Sequence, residues 1–115
     1  METLKKSRDF KRVLQGGDRE KLENIVIFAL PNPEGPTRIG ISVTRRVGGS
    51  VRRNRIKRRI REAVWRNASL LPRGVDMVIL AGAKCYDTEF NRIERDIKVF
   101  IERWKEREER RKERR

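Results

Sequence analysis

The sequence predicts a single-domain α+β fold, a sandwich of sheet and helices, and three observations carry that expectation. Three short runs rich in β-branched residues, Asn24 to Leu30, Thr37 to Thr44 and Val75 to Ala81, have the composition of strands. Three other stretches, opening near Ser7, Ser50 and Thr88, repeat apolar residues every three or four positions, the period of an amphipathic helix. The chain of 115 residues can bury one modest core and leaves little room for a second domain.

The first helix is expected over Ser7 to Gly17, with Ser7 as its cap, Phe10, Val13 and Leu14 on one face, and Gly16 and Gly17 as its stop. Gly16 to Glu23 is short and highly charged, and no strand is assigned there. Asn24 to Leu30 is an uninterrupted apolar run bounded by Pro31, which suits a strand covered on both sides. Pro31 to Pro36 is turn chemistry, and Thr37 to Thr44 alternates Ile39, Ile41 and Val43 with Arg38, Gly40, Ser42 and Thr44. These two strands are expected to pair as an antiparallel hairpin.

Gly48-Gly49-Ser50 then opens a helix to about Asn67, with Ile56, Ile60, Ala63 and Val64 as its core-facing stripe. Pro72-Arg73-Gly74 leads into the third strand, Val75 to Ala81. Asp87 or Thr88 is the expected cap of the last helix, whose apolar side holds Phe90, Ile93, Ile97, Phe100, Ile101 and Trp104. Nothing apolar follows Trp104. The domain is therefore placed at residues 1–104, and 105–115 is read as a charged, solvated extension, helical as far as its charge pairs support it.

Composition narrows function. Lys and Arg number 31 against 17 Asp and Glu, a formal charge of +14 that a polyanionic partner would neutralise. Met1 to Lys6 lacks the apolar stretch of a signal peptide and no run has the length of a membrane span, so a soluble cytoplasmic protein with no membrane partner is expected. There is no His, which excludes a histidine general acid or base, and a single Cys, which excludes an internal disulfide and zinc-finger architecture. Cys85, beside Tyr86, reads as a partly buried free thiol, since no base accompanies it. The carboxylates show no spacing that singles out a metal site.

One run stands apart. Arg52 to Arg61 holds seven cations in ten residues, with Arg45 and Arg46 just upstream and no acid before Glu62. Cations in the first turns of a helix meet the positive end of its dipole, and Arg55/Arg58, Arg55/Arg59 and Arg58/Arg61 set like charges one turn apart, each pair costing on the order of a few tenths of a kcal/mol. Ordinary solvated helices mix the signs, as the chain does after Lys105. Bound phosphate offsets both penalties, so nucleic acid is the expected partner. With the apolar stripe buried, Asn54, Arg58, Arg61 and Trp65 fall near the opposite side and Arg55 and Lys57 on the flanks. Asn54 can cap the helix or hydrogen-bond to phosphate, sugar or base. Gly48 and Gly49 make a turn, or also admit RNA backbone closely. Trp65 is the stacking candidate on composition, whereas Phe10 and Phe28 have the general preference of Phe for interiors.

From Arg38-Ile39-Gly40-Ile41-Ser42-Val43 through Arg53-Asn54-Arg55-Ile56-Lys57-Arg58 to Arg61-Glu62, the chain resembles the protein subunit of bacterial ribonuclease P. The resemblance runs from Arg8-Asp9-Phe10 to the last apolar helix. It implies a ribosomal-protein-like sandwich with a small, mostly antiparallel sheet, three helices and a left-handed βαβ crossover. It also implies a chain that is not itself catalytic but is the protein subunit of a ribonucleoprotein endoribonuclease. In that enzyme the catalytic RNA, with Mg2+ held mainly by RNA and substrate, releases the 5′ leader of precursor tRNA. Arg53, Asn54, Arg55, Lys57, Arg58 and Arg61, with Arg45, Arg46 and Arg52 beside them, are the implied RNA-binding set. Phe10, Phe28, Ser42 and Arg46 are the implied lining of a cleft for the single-stranded leader. Family members often carry a second aromatic one turn after Phe10, where this chain has Leu14. The expected partners are ribonuclease P RNA and precursor tRNA, not DNA. The rival readings are a ribosomal or other structural RNA-binding protein and a self-sufficient nuclease, which would need a carboxylate cluster for metal ions.

Overall fold

The computed structural model describes residues 1–113; the last two residues of the charged extension lie outside the described residues. The elements are β1 (Glu2–Thr3), α1 (Ser7–Gly16), β2 (Asp18–Lys21), β3 (Ile25–Pro31), β4 (Arg38–Val43), α2 (Ser50–Arg66), β5 (Val75–Ala81) and α3 (Phe90–Glu113). Short 3-10 turns follow β4 (Arg45–Val47), α2 (Ala68–Leu70) and β5 (Ala83–Tyr86).

The sheet is mixed, in the order β1-β4-β5-β3-β2. β5 lies at its centre because every residue from Val75 to Ile79 is buried, so both faces of the strand need cover. That placement corrects the expected hairpin. β3 and β4 run in opposite directions, but β5 separates them, antiparallel to β3 and parallel to β4. The linker from Asn32 to Thr37 bridges two strand spacings, roughly 10 Å, rather than making a tight turn. α2 is the crossover that joins the parallel neighbours β4 and β5.

Alternation along the strands divides the core. On one face Ile25, Ile27, Ile39, Met77 and Ile79 pack with Ile56, Ile60 and Val64 of α2 and with Ile93, Ile97, Phe100 and Trp104 of α3. On the other face Val13 of α1 packs on Val78, with Leu4 beside them and Phe10, Leu14, Phe28, Leu30 and Leu80 only partly covered. α1 is short, and it leaves part of this face open.

Two strands were not expected from sequence. β1 adds two residues beside β4, and β2 pairs with β3 within the charged segment before Asn24. In β2 the charges alternate across the strand, and its Asp18 and Glu20 meet a row of arginines on α3. Arg107 pairs with Glu20, and also with Asp18 at 3.8 Å; Arg103 reaches Glu20 at 3.5 Å and Arg111 reaches Asp18 at 3.5 Å. These pairs tie Arg107 and Arg111 of the α3 extension to the β2 edge, while most of the extension stays exposed.

The expected caps are also corrected. The residue before α1 is Lys6, with no side-chain cap bond, and Ser7 is already helical. Asp87 makes no cap bond, and the Thr88 hydroxyl donates to the Lys84 carbonyl at 2.6 Å, closing the preceding turn. The Glu89 carbonyl accepts from Arg92 and Ile93 and so begins α3.

Candidate nucleic-acid interface

The approach to α2 is set by Gly48, whose φ of +124° turns the chain where an L side chain would be strained. Gly49 follows as the residue before the helix and offers no side-chain cap, so the first amides of α2 have no capping acceptor. Arg45 and Arg46, both exposed, sit just ahead of that amide-rich end. The cap alternative for Asn54 is thereby closed: it lies inside α2 and is exposed.

Among the described residues, no carboxylate stands within salt-bridge distance of any cation from Arg45 to Arg61. Every ion pair lies elsewhere: at Arg12, Arg38 and Arg66, and at Arg92, Lys98, Arg103, Arg107 and Arg111 of α3. The contrast is with α3, several of whose cations find carboxylates on β2, at Glu23 or within α3 itself.

The cations of α2 do not all do the same thing. Arg59 turns inward and donates to the carbonyls of Cys85 at 3.2 Å and Tyr86 at 3.0 Å, and to that of Thr88. It ties α2 to the turn after β5. The guanidinium carbons of Arg52 and Arg55 lie 4.4 and 5.5 Å from the centre of the Tyr86 ring, which positions both without neutralising either. Arg58 and Arg61 are exposed and Lys57 is half-buried. Arg53 is also half-buried, and its Nε is covered without a hydrogen-bond partner. Cys85 lies fully inside this turn, where its thiol donates to the Asn24 carbonyl at 3.3 Å. Burial pushes that thiol up from its ordinary pKa, so it is a packing group.

The other face of the sheet carries the second set. Register places Phe28 beside Val78 and Val78 beside Gly40, with Val26, Leu80 and Ser42 forming the next row. Phe28 and Ser42 are half-buried on this open floor, and α1 roofs one end with Phe10 and Leu14. Gly40 makes the roof possible: a Cβ there would meet the Phe10 ring at 2.5 Å, so only glycine lets the ring lie on β4. Arg46 is exposed just beyond the end of β4.

The cleft has an ionic anchor. Asp76 of β5 is fully buried and accepts two hydrogen bonds from Arg38 of β4, at 2.9 and 2.7 Å, one from Arg12 of α1, and one from Asn32 at 3.3 Å. Burial alone would push the Asp76 carboxyl up, but the bonds from Arg38 and Arg12 outweigh it and hold the carboxyl below its ordinary value. α1 is thereby fixed at a set height over the sheet.

Three residues absent from the sequence-based set, Arg19, Lys21 and Arg59, sit at these surfaces. Arg19 and Lys21 of β2 stand opposite Phe28 and Val26, on the cleft face, and both are exposed. Their period-two alternation with Asp18 and Glu20 was the available signal, hidden because the segment carries no apolar strand pattern. Arg59 was indistinguishable from its neighbours by composition. Trp65, expected on the face away from the core, instead lines a groove with Lys57, Arg61 and Phe10. Among the described residues no three His, Cys, Asp or Glu side chains converge in a way that could hold a metal ion.

A small α+β protein with an unneutralised arginine helix on one side of its sheet belongs to the class of nucleic-acid-binding proteins. The particular family follows from comparison. The family model for ribonuclease P matches residues 1–105, and the chain belongs to that family, as its protein component. It is 36% identical over 94 residues to the ribonuclease P protein component of Natranaerobius thermophilus, covering 82% of each chain. It is 34% identical to that of Pelotomaculum thermopropionicum, covering 90% of this chain and 92% of the relative. Among solved structures, the RNase P protein from Thermotoga maritima matches with a TM-score of 0.79 at 29% identity, covering 90% of this chain and 97% of that one. The Staphylococcus aureus RNase P protein matches with a TM-score of 0.76 at 29% identity, covering 87% and 92%.

Proposed function

We propose that the chain binds ribonuclease P RNA through α2 and the 5′ leader of precursor tRNA through the cleft under α1, so that the RNA subunit cleaves the leader from the tRNA. The observation that carries this reading is the run of cations from Arg52 to Arg61, none of which has a carboxylate partner among the described residues, whereas Arg38, Arg103 and Arg107 elsewhere do. Arg45, Arg46, Arg53, Asn54, Arg58 and Arg61 then supply phosphate contacts, and Arg52 and Arg55 do so from positions fixed by Tyr86. Phe28 and Phe10 offer ring surface to unpaired bases, with Ser42 and Arg46 on the cleft wall.

The bond is broken by the RNA in this proposal. The chain has no histidine, and among the described residues no carboxylates converge, so these residues do not fit the Mg2+ that the reaction uses. That metal belongs to the RNA and substrate, and the protein's part is to position them. The proposed compartment is the cytoplasm. The test is reconstitution: purified chain, catalytic RNA and precursor tRNA are combined, and cleavage is assayed with each component omitted. The leader should be released when both subunits are present and never by the protein alone at any Mg2+ concentration. Specific cleavage by RNA-free protein would overturn the proposal.

A further inference from the structure

Lys57, Arg61 and Trp65 succeed one another at four-residue steps on α2, about 6 Å apart along its axis. Together with Phe10, Ile39 and Ile41 they line a groove between α2 and the edge of β4. Thr3 of β1 and Leu4 form part of its wall. The pairing of β1 with β4 covers only Arg38 and Ile39, and the last bond runs from the Leu4 amide to the Ile39 carbonyl. Past that point no described residue pairs with the β4 edge.

The indole is unusual for this chain. Trp104 is 4% exposed, whereas Trp65 is 42% exposed, although it directly follows the buried Val64. Two cations stand beside it, and neither has a carboxylate partner among the described residues. The groove, of about 100 Å3, is of the size of one flat ring.

We propose that this groove is a nucleotide subsite, in which one unpaired base of an RNA strand lying along α2 stacks on Trp65 while its flanking phosphates meet Lys57 and Arg61. An aromatic face next to unneutralised cations is the combination that holds single-stranded nucleic acid, with stacking that tolerates any base. The subsite rests on the reading of α2 as an RNA-binding helix, and it extends the phosphate contacts of that helix to a base. Phe10 lines the groove and also roofs the leader cleft, so the two RNA surfaces meet at that ring.

Intrinsic fluorescence tests the subsite on the full chain, because only one of its two tryptophans is open to solvent. A short oligoadenylate should quench most of the Trp65 emission and shield the indole from acrylamide. Duplex RNA, which offers phosphates but no free base, should bind and leave the indole open. Trp65→Leu should weaken oligoadenylate binding roughly tenfold with an unchanged salt slope, and Trp65→Phe should restore most of it. The inference is overturned if the indole stays open to acrylamide in the oligoadenylate complex, if duplex RNA shields it equally, or if Trp65→Leu binds as the wild type does. In each of those cases salt-dependent binding would leave the RNA-binding reading standing. Absence of any RNA binding by the wild-type chain would remove both. The acrylamide measurement needs no substitution, so it decides the matter even if Trp65→Leu fails to fold.

Discussion

Arg58 and Arg59 are adjacent in sequence, identical in chemistry and opposite in surroundings, and replacing each by alanine should separate RNA binding from stability. Arg59 donates to three backbone carbonyls at the end of the turn after β5. Hydrogen bonds to a charged donor are worth about 1.5–3 kcal/mol where solvent is excluded, and carbonyls left without a donor add a desolvation penalty. Arg59 is half-buried, so water replaces part of what is lost, and about 2 kcal/mol for the whole group is a fair expectation. For a domain of this size that corresponds to a fall in Tm of roughly 8 °C. Arg58 touches no carboxylate, is exposed, and should leave Tm unchanged. Its loss should instead weaken binding to ribonuclease P RNA roughly tenfold, about 1.4 kcal/mol, and make the plot of log affinity against log salt shallower by about 0.7–0.9 per contact. The assays are thermal melting by circular dichroism and filter binding across a salt series. The assignment of roles is refuted if Arg58→Ala lowers Tm as much as Arg59→Ala, or if Arg59→Ala melts like the wild type and alone changes the salt slope.

Three further outcomes are expected. Phe28→Leu keeps apolar bulk on the sheet but removes the ring, so affinity for precursor tRNA should fall by about 1–3 kcal/mol per lost stack while mature tRNA binds as before; loss of stability with the precursor preference intact would make Phe28 a packing residue only. Asp76 has its folded pKa held below the unfolded value, so it contributes stability above about pH 4 that is lost as pH falls through the folded pKa. In Tm measured from pH 6 to pH 2, Asp76→Asn should therefore be less stable at neutral pH and show a flatter acid limb, and an unchanged limb would contradict the anchor. Gly40→Ala must displace the Phe10 ring, so leader-dependent affinity should drop while binding of ribonuclease P RNA through α2 persists, which gel shifts with the two RNAs would reveal.

Much of this protein is local and therefore legible in sequence. Strand and helix periods depend on neighbours a few residues apart, which is why β3, β4, β5 and the apolar stripes of α2 and α3 fall where the pattern puts them. The excess of arginine over acid between Arg45 and Glu62 is likewise a property of the chain itself, and the Arg-Asn-Arg segment carries the family resemblance. What the tertiary structure alone decides is which groups meet. Strand order is one case: a hairpin is the cheaper connection, but burying both faces of β5 draws it between β3 and β4. β2 is another, since its alternating charges make a strand only when arginines 83 or more residues away on α3 cover one side of it. The division within α2 is the last, because nothing in the run Arg58-Arg59 says which guanidinium finds three carbonyls and which stays exposed. That choice depends on where the turn after β5 ends, and a helix face acquires its function from what the fold sets beside it.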